Sequence, residues 1–183
     1  MANETDGSVD SSLPLKVLAA GGVPNGDRYC GNVVSLLHFA GGDATTTFTD
    51  TIGKAWTPAG NAQIDTAQQK YGAASGLFDG TGDYISTPDH ADFNFGSGDF
   101  TLEGFFRSTT VGVGNRAIIS KQNAGTYGIY LQDEVAELAL YLSSTGTSWD
   151  IASSVNLKIS LSANTWYHYA VSRNGTQITG YVD

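Results

Sequence analysis

The sequence predicts an all-β, antiparallel sandwich, and three observations support that fold class. The 183 residues include 23 glycines and only 9 Lys and Arg, beside 9 Tyr, 8 Phe and 3 Trp. Glycine at this level without a collagen repeat, together with frequent aromatic residues, is typical of a turn-rich β protein. Scarce charge also disfavours long exposed helices, whose solvent faces normally carry Glu and Lys. Short apolar or alternating segments separated by Gly, Asn and Ser recur along the chain, as they do in antiparallel sandwiches.

Residues 1–32 differ from the rest and are predicted to form an extended N-terminal arm. The stretch "ANETDGSVDSS" is polar and has too little apolar content to fold alone. The following "LPLKVLAAGGVPNGD" places apolar side chains between Pro and Gly breakers. Such an arm suits docking on another chain, and packing along its own domain is the alternative. Residues 33–183 are predicted to be the sandwich.

The strand assignments rest on short apolar runs, on alternation and on turn residues. "VVSLLHF", residues 33–39, is an apolar run closed by "AGGD" and is predicted to be a buried strand. In "DFTLEGFFR", residues 99–107, every second residue from Phe100 to Phe106 shares a face. The C-terminal "TWYHYAVSRNGTQITGYVD" is predicted to be two strands around Asn174-Gly175, the strongest short hairpin signal. Further strands are predicted in "SGLFDG", "DYISTP", "RAIISK", "YGIYLQD" and "ELALYLS".

In "DEVAELALYL", residues 133–142, a helix competes with a strand. Val135, Leu138 and Leu142 have helical spacing, whereas Leu138, Leu140 and Leu142 also alternate with period two. The strand rhythm of the neighbouring segments favours the strand.

Charge and composition exclude several classes of partner. A formal charge of -9 disfavours nucleic acid, because contacts to phosphates need clustered cations. No apolar run approaches the roughly 20 residues of a membrane span, so membrane insertion is not expected. The N-terminus has neither a basic start nor an apolar core, so no classical secretory signal is expected. Cys30 is the single cysteine, so no intrachain disulfide is possible.

Taken in order, three stretches resemble the concanavalin A-like, laminin G-like superfamily. These are "QQKYGAASGLFDGTGDYIS", "DFTLEGFFR" and "WYHYAVSRNGTQITGYVD", and the order of their motifs carries the resemblance. The chain looks most like the lectin-like modules of phage tail and virion proteins and of bacterial surface proteins. The resemblance spans residues 33–183 and implies a jelly-roll sandwich of two antiparallel sheets. It also implies a further strand after "GYVD", so we expect this chain to be a fragment or its open edge to be covered by a partner.

No enzyme is predicted. The superfamily's glucanases carry Glu-x-Asp-x-x-Glu on one strand, whereas Glu103 stands alone in "TLEGFF". Asp133, Glu134 and Glu137 do not have that spacing. No Gly-x-Ser-x-Gly nucleophile motif occurs, and no pair of histidines has a metal-binding spacing. We therefore expect no catalytic residue.

Carbohydrate binding is the activity that the remaining residues favour. Lectin sites combine aromatic faces, which stack on sugar C–H surfaces, with polar groups in loops that give directional hydrogen bonds. Trp56, Tyr127 and Trp149 lie beside predicted turns and are the candidate ligand residues, although packing in the core is the alternative for each.

The stretch "LFDGTGDYIS", residues 77–86, raises the possibility of calcium. Asp79 and Asp83 are candidate oxygen ligands, with Asp89 and Asp92 in the next loop. The loop lacks a closing Glu, and its glycines supply the permissive backbone of a tight turn. Aspartates also cap such turns through local hydrogen bonds. A turn without metal is the favoured interpretation, and no cofactor is predicted to be required.

The sequence thus predicts a non-enzymatic protein of a phage virion surface: a tail, fibre or capsid-decoration component. It would be present in multiple copies, dock on other virion proteins through residues 1–32, and adhere to glycans or proteins. The alternative is a carbohydrate-binding module of a secreted or surface bacterial protein.

Overall fold

The computed structural model describes residues 30–123 and 125–183, so most of the predicted arm lies outside the described residues. Two short 3-10 helices, Cys30–Asn32 and Ala91–Phe93, accompany the strands. The strands are β1 (Thr57–Ala59), β2 (Gln63–Asp65), β3 (Ser75–Leu77), β4 (Tyr84–Ser86), β5 (Phe100–Arg107), β6 (Asn115–Asn123), β7 (Thr126–Glu134), β8 (Glu137–Leu142), β9 (Ala152–Lys158), β10 (Trp166–Asn174) and β11 (Gln177–Val182).

Two antiparallel sheets form the main sandwich, which confirms the predicted fold class. The three-stranded sheet has the order β11-β10-β5, and the four-stranded sheet has the order β6-β7-β8-β9. Both contribute side chains to one core because alternate residues of each strand point inward. The buried residues of that core are Ile129, Leu131, Leu138, Leu140, Leu142, Ala152, Leu161, Tyr167, Tyr169 and Val171.

Strand β5 has the face that its alternation predicts. Phe100, Leu102 and Phe106 pack against the main core. Gly104 lies on the same face, and a Cβ there would meet the Tyr169 hydroxyl at 2.8 Å. The missing side chain therefore makes room for a buried tyrosine.

The segment from 133 to 142 is a hairpin, so the predicted strand is confirmed for residues 137–142. Asp133 and Glu134 end β7, and Glu134 pairs with Glu137 across a two-residue turn. The turn residues Val135 and Ala136 have φ angles of 49° and 69°. Both angles lie in the left-handed region that side chains with a Cβ disfavour. This turn therefore carries backbone strain.

The C-terminal hairpin is also confirmed, with its turn one residue later than the dipeptide suggests. Asn174 pairs with Gln177, so Gly175 and Thr176 form the loop. Gly175 has a φ of 60°. Glycine at the first central position is the preference of a type II′ turn.

Residues 57–86 build two small sheets, β1-β4 and β2-β3, beside the sandwich. Their separate core consists of Phe48, Ala62, Ile64 and Ala74. The sequence predicts strands on either side of "GTG", and these strands, β3 and β4, each pair with an earlier strand rather than with each other.

The predicted buried strand over residues 33–39 is wrong. Only one bridge forms there, between Leu37 and Asp50. The Asp50 carboxylate instead accepts hydrogen bonds from the Leu36 amide and from Ser35, at 3.2 and 2.5 Å. Phe39 then turns the chain with a φ of 51°. The Asp50 carboxylate thus accepts hydrogen bonds that a neighbouring strand would otherwise provide for.

A buried ion pair closes one end of the main core. Asp133 is only 2% exposed, and its Oδ2 accepts hydrogen bonds from Arg116 Nη2 at 2.5 Å and Ser108 Oγ at 2.8 Å. Ser108 lies in the connection between β5 and β6, and Arg116 lies in β6. Asp133 therefore ties both of these segments to β7. In the part of the chain that the structure describes, no helix is long and apolar enough to cross a membrane.

Candidate functional site

The outer face of the four-stranded sheet carries the candidate site. On β7 and β8, residues that face the core alternate with residues that face away from it. The outward cross-strand pairs are Tyr130–Tyr141, Gln132–Ala139 and Glu134–Glu137. The tyrosines and the two glutamates of these pairs are partly exposed, whereas Gln132 and Ala139 are buried beneath their neighbours.

Four aromatic side chains form a contiguous series on this side of the sheet, which we call the aromatic row. Tyr127 and Trp149 meet edge to face with ring centroids 4.8 Å apart. Trp149 lies 5.7 Å from Tyr141, and Tyr141 lies 5.9 Å from Tyr130. All four rings are partly exposed. The structure thus brings together two of the three predicted ligand residues, Tyr127 and Trp149.

Polar groups continue the surface beyond the tyrosines. Glu134 Oε2 accepts hydrogen bonds from Gln132 Nε2 at 2.9 Å, Tyr141 Oη at 3.1 Å and Ser154 Oγ at 3.3 Å. Burial raises the pKa of the Tyr130 hydroxyl, and neighbouring Tyr141 and Glu134 raise it further. The carboxylate therefore orders one end of the aromatic row.

A second carboxylate lies opposite the first. Glu137 Oε2 accepts a hydrogen bond from Asn156 Nδ2 at 2.5 Å, and Glu137 is the cross-strand partner of Glu134. We call this set of side chains the polar row: Gln132, Glu134, Glu137, Ser154 and Asn156. Amide and carboxylate groups beside aromatic rings give the mixture of stacking and directional hydrogen bonds that sugars require.

The loop that carries Trp149 is held by Asp150. Its carboxylate accepts hydrogen bonds from Ser143 Oγ at 2.9 Å, Ser144 Oγ at 2.6 Å and Thr145 Oγ1 at 3.1 Å. These bonds, the one from Ser144 first among them, hold the pKa of Asp150 well below its usual range. The neighbouring tryptophan is positioned as a result.

Main-chain bonds attach the same loop to the start of β7. The Tyr127 amide donates to the Gly146 carbonyl at 3.0 Å, and the Ser143 amide donates to the Gly128 carbonyl at 2.9 Å. The loop and Tyr127 therefore form one ordered unit.

A half-open pocket of about 220 Å³ adjoins this unit. Tyr127 belongs to its wall, and Lys121 and Asn94 contribute a cation and an amide. The remaining lining residues are Phe93, Phe95, Gly96, Thr126, Gly128, Ser143, Ser144, Thr145 and Gly146. The volume is below the range of pockets for drug-sized ligands, so it suits a single small ring.

Trp56, the third predicted ligand residue, lies elsewhere. Its ring packs against the smaller core, and its Nε1 donates a hydrogen bond to Asp50 Oδ2 at 3.1 Å. Burial alone would raise the pKa of Asp50, but hydrogen bonds from Ser35, Trp56, Ile52 and Leu36 outweigh it and lower the pKa. The indole thus has a structural role in the observed geometry.

The candidate calcium residues Asp79 and Asp83 make local hydrogen bonds. Asp79 Oδ1 accepts from the Thr81 amide at 2.7 Å. Asp83 accepts from the amides of Asn61 and Asp79, both at 2.8 Å. These contacts are the turn-capping pattern that the alternative interpretation described.

The other two candidate aspartates pair with cations. Asp89 lies 3.0 Å from Lys121 Nζ, and Asp92 lies 2.7 Å from Lys54 Nζ. Within residues 30–123 and 125–183, no group of three or more His, Cys, Asp or Glu side chains could hold a metal ion. Calcium at these aspartates therefore stays the less favoured alternative to a turn without metal.

The opposite sheet has its own outer face, with a different character. Glu103 and His168 lie 3.7 Å apart there, and burial raises the pKa of Glu103. Tyr181 is more than half exposed beside the His168 ring. This face offers a matched tyrosine for control experiments.

Sequence reasoning missed Tyr130, Tyr141, Gln132 and Lys121 as site residues. Strand alternation in "YGIYLQD" and "ELALYLS" was the available signal, because it puts Tyr130 and Tyr141 opposite the apolar positions. The pairing register needed to bring them together was not available from composition or motif order.

The chain belongs to the concanavalin A-like lectin/glucanases superfamily. The family model matches residues 79–183, which include both sheets of the sandwich and the whole aromatic row. No curated protein and no solved structure is significantly similar to the chain. The superfamily includes both sugar-binding and sugar-cleaving members, so the family fixes the fold and leaves the activity to the site.

Proposed function

We propose that the chain is a non-enzymatic, lectin-like module that binds a glycan along the outer face of the four-stranded sheet. The observation that supports this is the adjacency of the aromatic row and the polar row. Pyranose rings would stack on Trp149 and the tyrosines, while their hydroxyls would bond to Glu134, Ser154 and Asn156. Both kinds of group are already ordered by contacts with their neighbours, which reduces the entropy lost on binding.

A glycan array displaying bacterial, plant and animal oligosaccharides tests the proposal, followed by calorimetry with the strongest binder. Tyr141→Ala should weaken binding roughly tenfold, the effect of losing about 1.4 kcal/mol of stacking and hydrogen bonding. Tyr181→Ala is the matched control, because it removes an exposed strand tyrosine from the opposite sheet. Equal losses in both variants, or an array without any binder, would contradict the proposal.

The absence of catalysis is part of the same proposal. Glu134 and Glu137 are paired carboxylates on a candidate sugar surface, an arrangement that glycosidases also use. Here both act as hydrogen-bond acceptors for the polar row beside a tight turn. Incubation of the full chain with its best array ligand should leave the oligosaccharide intact. Cleavage that Glu134→Gln abolishes would identify an enzyme instead.

We further propose that the module works on a phage virion surface, in multiple copies that dock through residues 1–32. The support is the sequence pattern of the arm, polar and then apolar, ahead of a lectin-like domain. Deleting residues 1–28 should leave a folded domain that no longer associates with the particle. A truncated chain that still associates would refute docking by the arm. Cell-surface attachment in a bacterium is the alternative, and imaging of the native assembly separates the two.

A further inference from the structure

The pocket at the end of the aromatic row is lined by a lysine that has no part in the sugar-binding proposal. Among the described residues that line the pocket, Lys121 is the charged one. Its Nζ contacts Asn94 Oδ1 at 2.5 Å and Asp89 Oδ1 at 3.0 Å. The Lys121 side chain is 28% exposed, so its ammonium is held at the pocket wall rather than extended into solvent.

Asp89 indicates where a carboxylate sits against this ammonium. Its side chain is 79% exposed and comes from the connection after β4, outside the set of lining residues. The pKa of Asp89 is lowered, chiefly by its hydrogen bond with Lys121. An exposed pair of this kind is weak, because water and salt screen it. A second carboxylate that enters the pocket can therefore replace Asp89 at low cost.

The rest of the pocket fits the body of a sugar. Ser144, Thr145 and Asn94 are polar residues of the wall, and Tyr127 is its aromatic one next to the aromatic row. The volume of about 220 Å³ suits one ring. Tyr127 also contacts Trp149 at 4.8 Å, so the pocket is continuous with the aromatic row.

We infer that the pocket binds a terminal sugar residue that carries a carboxylate, with the acid group on Lys121 in place of Asp89. This inference rests on the proposed function, since the remainder of the glycan would follow the aromatic row. The inference adds to the proposed function a class of ligand, acidic glycans. It also adds a mode of recognition, in which the pocket binds the terminal residue of the glycan. Uronic and sialic acids share this chemistry, and the test distinguishes them.

The experiment uses the full chain and calorimetry with matched oligosaccharides that differ only in the terminal residue: glucuronate, its neutral counterpart glucose, or sialate. The acidic ligands should bind about two- to fivefold more tightly than the neutral one, because a carboxylate inside the pocket is less screened by water than the exposed Asp89 that it displaces. Which acidic terminus binds better identifies the source of the carboxylate. The preference should shrink as salt rises.

Three variants locate the effect. Lys121→Gln should remove the preference for acid, so that the acidic and neutral ligands bind with equal affinity. Asp89→Asn should strengthen acidic ligands alone, because it removes the competing carboxylate. Lys70→Gln, whose ammonium lies over Phe105 on the other sheet, is the control and should change nothing.

The two proposals fail in different ways. Equal affinity for acidic and neutral termini, with binding still sensitive to Tyr141→Ala, overturns the inference and leaves the sugar-binding proposal standing. An acid preference that survives Lys121→Gln also overturns it. If none of the matched ligands and none of the array glycans binds, both proposals fall.

Discussion

The turn between β7 and β8 should be stabilised by a double substitution, Val135→Asn with Ala136→Gly. Both residues have positive φ, 49° and 69°, and a residue with a Cβ loses about 1–2 kcal/mol in that region. Asn followed by Gly is the preferred pair for a two-residue turn with both φ angles positive. Asn and Gly therefore adopt the backbone conformation of this turn at a lower free-energy cost than Val135 and Ala136 do.

The expected gain follows from these terms. Relieving the strain at the two residues should add about 2–3 kcal/mol to the free energy of unfolding. The greater conformational entropy of glycine in the unfolded chain should subtract about 0.4–1 kcal/mol from it. Val135 is 60% exposed, so its removal gives up little burial. The net stabilisation should be about 1–2 kcal/mol, which raises the melting temperature by about 2–8 °C at this chain length.

Calorimetric melting of the variant and the native chain measures the shift. The bond from the Leu161 amide to the Ala136 carbonyl, 2.7 Å, involves only main chain and should survive. Thr176→Gly is the matched control, because Thr176 occupies a two-residue hairpin turn without positive φ. It should leave stability unchanged or lower. An unchanged or reduced melting temperature in the double variant would refute the strain argument.

Three further predictions concern polar contacts away from this turn. Trp56→Phe replaces the indole with a smaller aromatic ring and removes the N–H bond to Asp50, and should cost about 1–2 kcal/mol in urea unfolding without changing glycan affinity. A drop in affinity would instead show that Trp56 contributes to the site. Asp133→Leu should cost about 3 kcal/mol because Arg116 loses its partner, and the added Arg116→Leu should restore part of it; no recovery would show that the pairing is not the cause. The lowered pKa of Asp150 means that its contribution is complete above the unfolded value of about 3.9 and is lost as pH falls through the folded value. Trp149 fluorescence should therefore hold at pH 4 in the native chain, whereas a loop transition already present at pH 6 would contradict the assignment.

The elements that sequence predicts well are those in which alternation matches burial. Strands β5 and β10 have one apolar face each, and glycine marks the turn that follows β10. Strand β9 was not predicted because Ser153 to Asn156 are exposed and its pairing with β8 has two register shifts. The apolar run 33–39 does not form the predicted strand, because the carboxylate of Asp50 accepts hydrogen bonds from Ser35 and from the Leu36 amide.

The site was predicted only in part for a related reason. The sequence predicts Tyr127 and Trp149 independently, each as an aromatic residue beside a turn. Their contact depends on how the loop after β8 folds back on the start of β7 through the Gly146 carbonyl. Trp56 has the same sequence signature, but a buried carboxylate within reach of its indole gives it a structural partner. Residue type selects candidates, and long-range pairing decides which of them meet.

The central claim is that a glycan lies along the outer face of the four-stranded sheet. The most direct measurement is a titration of ¹⁵N-labelled chain with the best array ligand, followed by amide and indole chemical shifts. The account predicts saturable shifts at the Trp149 indole N–H and at the backbone of Tyr127, Tyr130 and Tyr141. Shifts confined to the face that carries His168 and Tyr181 would contradict it.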